Sequence, residues 1–148
     1  MIQVRLPDGS ARQLDDGASA ADLAAQLGPG LLKAAVAAKV DGEVVDLSRP
    51  LPDGATVAIL TRRDPEALEV LRHSAAHLMA DAILRVFPRA QLTIGPAVED
   101  GFYYDIFLPE GKLTPEDFPK IEAEMAQIAK AAHRFERHEC PVDATDEL

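Results

Sequence analysis

His73 and His77 stand four residues apart in Arg72-His73-Ser74-Ala75-Ala76-His77-Leu78. On a helix that spacing sends both imidazoles out of one face, one turn apart. Such a pair can hold a metal, orient a water or hydrogen-bond a substrate. The same spacing is also met by two helix histidines that bond to backbone or sit half exposed. The Glu that follows the first His in HExxH metalloproteases, where it serves as base, is replaced by Ser74, which argues against protease chemistry.

A second group is Gly95-Pro96-Ala97-Val98-Glu99-Asp100-Gly101-Phe102-Tyr103-Tyr104-Asp105. In a strand, Tyr103 and Tyr104 point to opposite sides, so one phenol at most faces a given pocket. A turn followed by an ordinary aromatic strand explains the segment equally well. His133, His138 and Cys140 form a looser third group, with His138 and Cys140 on one strand face; two ligands make a poor metal shell. The acid-rich segments 66–69 and 116–124 read as solvated helix faces. No glycine-rich phosphate loop of the P-loop or Rossmann kind is present.

Positioning the histidines falls to residues 66–87, a stretch without Gly or Pro. Leu68, Leu71, Ala75, Leu78, Met79, Ala82, Ile83 and Val86 recur at three-and-four spacing, which predicts one apolar stripe on a long helix. His73 and His77 lie roughly opposite it, with Ala80 and Leu84 as neighbours, so their face is expected to be covered or to line a recess. Pro88 ends the helix. Strands are expected at 92–94 and 102–105. A second helix is expected to open at Thr114-Pro115-Glu116-Asp117, with Thr114 as N-cap, and to bury Phe118, Ile121, Met125, Ile128 and Ala132. The tail from Phe135 to Leu148 is polar and carries no closing element.

Ahead of these elements the punctuation differs. Residues 2–6 alternate, Pro7-Asp8-Gly9-Ser10 is a turn, and 11–14 return as a hairpin arm. Ser19 and Asp22 have capping-box spacing, and Gly28-Pro29-Gly30 stops the short helix that follows. Residues 34–40, 43–46 and 56–60 then read as three strands, separated by Asp41-Gly42 and Pro52-Asp53-Gly54. Hairpin, helix and further strands make an α+β unit with one helix across a mixed sheet, the order of the β-grasp (ubiquitin-like) fold. Residues 61–65 are the expected linker.

The 148 residues are 47% hydrophobic with a net charge of -10, enough to bury a core and without the basic excess typical of phosphate grippers. The two halves agree, with 5 basic against 8 acidic residues up to Thr61 and 10 against 17 beyond it. A shape-guided RNA contact stays open. Cys140 is the single cysteine, so no internal disulfide can form and a reducing compartment fits. No run has the length of a membrane span, and a cytoplasmic location is expected.

The Arg72–Leu78 motif, followed by Ile94-Gly95-Pro96 and Gly101-Phe102-Tyr103-Tyr104-Asp105, resembles the editing domain of bacterial threonyl-tRNA synthetases. The leading unit, with Leu6-Pro7-Asp8-Gly9-Ser10, Gly28-Pro29-Gly30 and Asp41-Gly42-Glu43-Val44-Val45-Asp46, looks like the TGS domain of that family. The resemblance implies a TGS β-grasp domain over 1–61, and the first part of an incomplete α+β editing domain with a long HxxxH helix over 62–148. It implies a parent that joins threonine to tRNA(Thr) with ATP and hydrolyses mischarged seryl-tRNA. Serine lacks one methyl of threonine, a difference worth only about 1–3 kcal/mol in a pocket, so a second sieve is needed. By resemblance, His73 and His77 position the terminal ribose and the attacking water, and Tyr104 is a further pocket residue. The family completes its pocket with a CxxxH motif that this sequence lacks, so the fragment alone is expected to be inactive. ATP, magnesium and zinc are expected only in the absent catalytic core, with none bound here. The parent is expected to be a homodimer through absent domains. A free-standing tRNA-editing or RNA-binding module, or a non-enzymatic interaction domain, are the alternatives.

Overall fold

A computed structural model describes residues 1–133, 135, 136 and 138. In chain order the elements are β1 (Ile2–Arg5), β2 (Ala11–Leu14), α1 (Ala20–Leu27), α2 (Pro29–Ala34), β3 (Ala35–Val40), β4 (Glu43–Val45), β5 (Val57–Thr61), α3 (Pro65–Val86), β6 (Gln91–Leu92), β7 (Ala97–Val98), β8 (Gly101–Phe102), β9 (Ile106–Phe107) and α4 (Phe118–Ala131). The class is α+β, as expected. Two compact units form: Met1–His77 with Leu92–Asp105, and Leu78–Gln91 with the described residues from Ile106 onward.

In the first unit β1 and β2 form the expected antiparallel hairpin, and β3 pairs antiparallel with both β4 and β5. Arg5 and Thr56 join the two sheets through a parallel bridge, with Arg5 N–H donating to the Ala55 carbonyl at 2.8 Å and Gly54 N–H to that of Gln3 at 2.7 Å. The sheet is therefore mixed. Asp41 and Gly42 take φ of 49° and 93°, the left-handed pair that a two-residue hairpin requires. Alternation along the strands sends Val4, Leu14, Ala38, Val45 and Val57 into one core, where Ala20 and Leu23 of α1 meet them.

Ser19 caps α1 as its spacing predicts: its hydroxyl accepts from Asp22 N–H, and the Asp22 carboxylate accepts from Ser19 N–H at 2.8 Å. One helix was expected across the sheet, and two are present. Gly28 at φ 154° ends α1 and opens α2, with Pro29 at its first position. Gly-Pro-Gly is both a stop signal and a start, because proline is preorganised for a first turn.

The long helix exists, and of its expected stripe Ala82 and Ile83 are buried, but Leu68 is not, and further small residues are buried beside it. Leu68 is 40% exposed, whereas Ala67, Ala76, Ala80, Ala82 and Ile83 are buried. Leu71, Ala75, Leu78, Met79 and Val86 are half-buried. Ala67 packs with Ala37 of β3 and Leu60 of β5; the contact selects small side chains, which a count of large apolar residues overlooks.

In the second unit Ile83, Ala90, Leu108 and Ile121 are buried, and Arg89 pairs with Glu110 at 2.6 Å. Helix α4 starts at Phe118, not at Thr114. Residues 115–117 form a tighter turn, in which Asp117 N–H donates to the Thr114 carbonyl at 3.0 Å and the Asp117 carboxylate accepts from Thr114 N–H at 3.1 Å. Of the five apolar residues expected to be buried, Ile121 is; Met125 and Ile128 are half-buried, and Phe118 and Ala132 are exposed.

Candidate functional site

Helix α3 carries the histidine pair, and its continuous turn brings His73 Nε2 to 3.0 Å from His77 Nε2. The rings meet edge to face, with centroids 4.6 Å apart and planes at 86°. Two facing ring nitrogens at that distance share one hydrogen, so one ring donates and the other accepts. In the neutral pair the donor ring then has a lone pair on Nδ1, and the acceptor ring has an Nδ1–H. The pair thus presents one hydrogen-bond-accepting and one hydrogen-bond-donating nitrogen. Ser74, between the two, is committed elsewhere: its hydroxyl donates back to the Val70 carbonyl at 2.8 Å, a helix-internal bond that spends its only proton.

Of the two expected settings for this face, a cover or a recess, the described residues provide a recess. Both histidines are exposed. A recess of about 340 Å³ does lie beside His73, walled by Val44, Glu66, Glu69, Val70 and Ser74; His77 is not among its walls. The neighbours predicted for the pair were apolar, Ala80 and Leu84. Towards the helix start the recess is instead flanked by carboxylates, at positions four and seven residues before His73. Lys39 Nζ donates to Glu66 at 2.9 Å, and this bond, with Glu66's own backbone N–H and the nearby ammonium charge, holds the Glu66 carboxyl below its usual range. Glu69 is exposed, as a solvated face requires, and Glu66 is in addition tied to Lys39.

Tyr104 has no hydrogen bond or ring contact with either histidine. It falls between β8 and β9 instead of within a strand, and Asp105 N–H donates to the Ile94 carbonyl at 3.0 Å. Alternation survives without the strand, since Tyr103 is 55% exposed while Tyr104 is half-buried. The Tyr104 ring covers Gly95 so closely that a Cβ there would overlap its Cδ2 and Cε2 atoms. Gly95 is a supporting residue whose role sequence punctuation left unstated.

His133 and His138 are exposed, with His138 Nε2 3.6 Å from Glu136. Cys140 lies outside the described residues. Among those described, no three His, Cys, Asp or Glu side chains converge to hold a metal ion, and no helix is long and apolar enough to cross a membrane.

A mixed sheet grasping α1, followed by a helix that presents two linked imidazoles, defines an α+β protein whose residues 2–61 match the TGS domain family. The chain is 57% identical over 138 residues to the threonine-tRNA ligases of Citrifermentans bemidjiense and of Geobacter sp. strain M21, covering 93% of this chain and 22% of each relative. It is 56% identical over 137 residues to that of Maricaulis maris, again 93% of this chain and 21% of the relative. The resemblance to threonyl-tRNA synthetases drawn from the sequence thus holds across nearly the whole chain. The chain spans about a fifth of the length of the curated relatives it matches.

Proposed function

We propose that this chain is the TGS and early editing region of an enzyme that joins threonine to tRNA(Thr) with ATP, and that its histidine pair serves hydrolysis of mischarged seryl-tRNA. The observation that carries the reading is the 3.0 Å link between His73 and His77 Nε2 on an exposed helix face, in a chain so similar to threonine-tRNA ligases. In the reaction, a water oxygen adds to the ester carbonyl carbon while the Nδ1 lone pair of one ring takes its proton. The tetrahedral intermediate collapses and the bond to the ribose oxygen breaks; the hydrogen shared between the rings crosses to the Nε2 of the second ring as that ring gives its Nδ1 proton to the ribose oxygen, so both rings end neutral. Serine and free tRNA result. Tyr104, seated on Gly95, is a further pocket residue in this reading. Residues 1–61 form the TGS domain and 62–148 the first part of the editing domain.

The CxxxH motif that completes the family's pocket is not in this sequence, so the chain by itself is proposed to be inactive. ATP, magnesium and zinc would be held by a synthetase core that these residues do not supply. The enzyme is proposed to act in the cytoplasm, as a homodimer joined by other domains. The test uses a protein in which this chain is continued by the segments its relatives have. With His73→Ala/His77→Ala, threonine charging is expected to persist while seryl-tRNA accumulates, as deacylation falls by a factor on the order of a hundred or more. Unchanged seryl-tRNA levels in that variant would remove the pair from editing.

A further inference from the structure

We infer that the recess bounded by Lys33, Arg62 and Arg63 is a docking point for the phosphate backbone of RNA. The recess measures about 670 Å³, and its remaining walls are Gly30, Leu31, Ala34 and Thr61. Three cations and no carboxylate line it, in a chain whose net charge is -10. Elsewhere five cations are answered, Lys39 by Glu66, Arg49 by Glu43, Arg85 by Asp81, Arg89 by Glu110 and Lys120 by Asp117, and the cations outside such pairs, among them Arg5, Arg12, Arg72, Lys112 and Lys130, are not among the walls of this recess. Among the described residues, Lys33, Arg62 and Arg63 are in no such pair, and all three are exposed.

The local backbone explains why they stand free. Asp64, the nearest acid in sequence, turns its carboxylate back onto Thr61, accepting from its N–H at 2.6 Å and from its hydroxyl at 3.0 Å. Asp64 N–H in turn donates to the Thr61 carbonyl at 2.9 Å. This closed turn fixes the backbone that carries Arg62 and Arg63, while Lys33 stands in the last turn of α2. Lys33 also complements the carbonyl end of that helix, but this role gives no reason for two arginines to share the recess with it. Arginine forks match phosphate oxygens in pairs, and lysine supplies a point charge. Charge complementarity therefore favours a polyanion with several phosphates. RNA is the source because the editing reading supplies one, and the inference rests on that reading.

Three contacts give a modest, salt-sensitive site, so affinity for an RNA hairpin is expected to fall by roughly 20- to 40-fold between about 50 and about 200 mM salt. The experiment is an amide-resolved NMR titration of this chain with an RNA hairpin, repeated with poly-glutamate of equal charge. The expected result is shifts centred on Lys33, Thr61, Arg62 and Arg63, abolished in Lys33→Glu/Arg62→Glu/Arg63→Glu and retained in the control Arg49→Glu. The wild-type shift map decides the matter even if the triple variant does not fold. RNA shifts centred elsewhere on the chain, or none at all, would overturn the docking point while leaving the seryl-tRNA test of the histidines to stand or fall separately. Equal shifts from poly-glutamate would overturn the assignment to RNA.

Discussion

At the scale of single residues, the two imidazoles act through one shared hydrogen, which makes them a unit. Removing either ring leaves its partner without the bond that fixes its tautomer. His73→Ala and His77→Ala, each in the extended protein, are therefore expected to lose nearly as much seryl-tRNA deacylation as the double variant. A double-mutant cycle on the deacylation rate checks this, and simple additivity would contradict it. Gly95 is a second residue-scale test. Gly95→Ala places a methyl where the Tyr104 ring lies, so the ring or the backbone must shift. A loss of about 1–3 kcal/mol is expected in thermal unfolding, along with a changed tyrosine fluorescence. That signal is readable because the chain has two Tyr and no Trp.

At the scale of elements, the capping box of α1 and the close approach of α3 to the sheet yield separate tests. Ser19→Ala is expected to cost about 1 kcal/mol, read from denaturant midpoints at constant slope. Asp22 titrates below its ordinary value, chiefly because Ser19 N–H and then the Ser19 hydroxyl bond to its carboxylate. The stabilisation is thus complete above the unfolded value, about pH 4, and is lost as the pH falls through the lower folded value. Asp22→Ala is expected to lower stability at neutral pH and to flatten that acid limb; an unchanged limb would remove Asp22 as its source. Ala67, fully buried against Ala37 and Leu60, leaves no room for a larger group, so Ala67→Leu is expected to cost about 1–3 kcal/mol.

These elements also mark how far the sequence could be read. The Asp41-Gly42 hairpin and the Ser19 box were legible because each depends on residues adjacent in the chain. Helix α2 was hidden inside Gly28-Pro29-Gly30, where one tripeptide both stops and starts a helix. The burial of Ala67 and Ala76 in α3 was missed because it follows from how closely other elements approach, which periodicity of large side chains does not encode. At the site, the relation of His73 to His77 was fixed by helix pitch, whereas the Glu66 and Glu69 walls became evident only with Lys39 and Val44 in place.

At the scale of the molecule, a net charge of -10 opposes any broad electrostatic grip on RNA. A net-acidic chain with a cation-lined recess allows contact at a chosen point and repels it elsewhere, which favours orientation over affinity. Under the proposed function, such a surface suits a region that receives one end of a tRNA. The most direct measurement is hydrolysis of seryl-tRNA and threonyl-tRNA by this chain, by the chain extended through a CxxxH segment, and by the extended His73→Ala/His77→Ala form. The expected result is cleavage of the serine ester by the extended protein alone, lost in the histidine variant, with threonyl-tRNA spared. An extended protein that cleaves neither ester, or whose cleavage survives loss of both histidines, would contradict the assignment of the pair to editing.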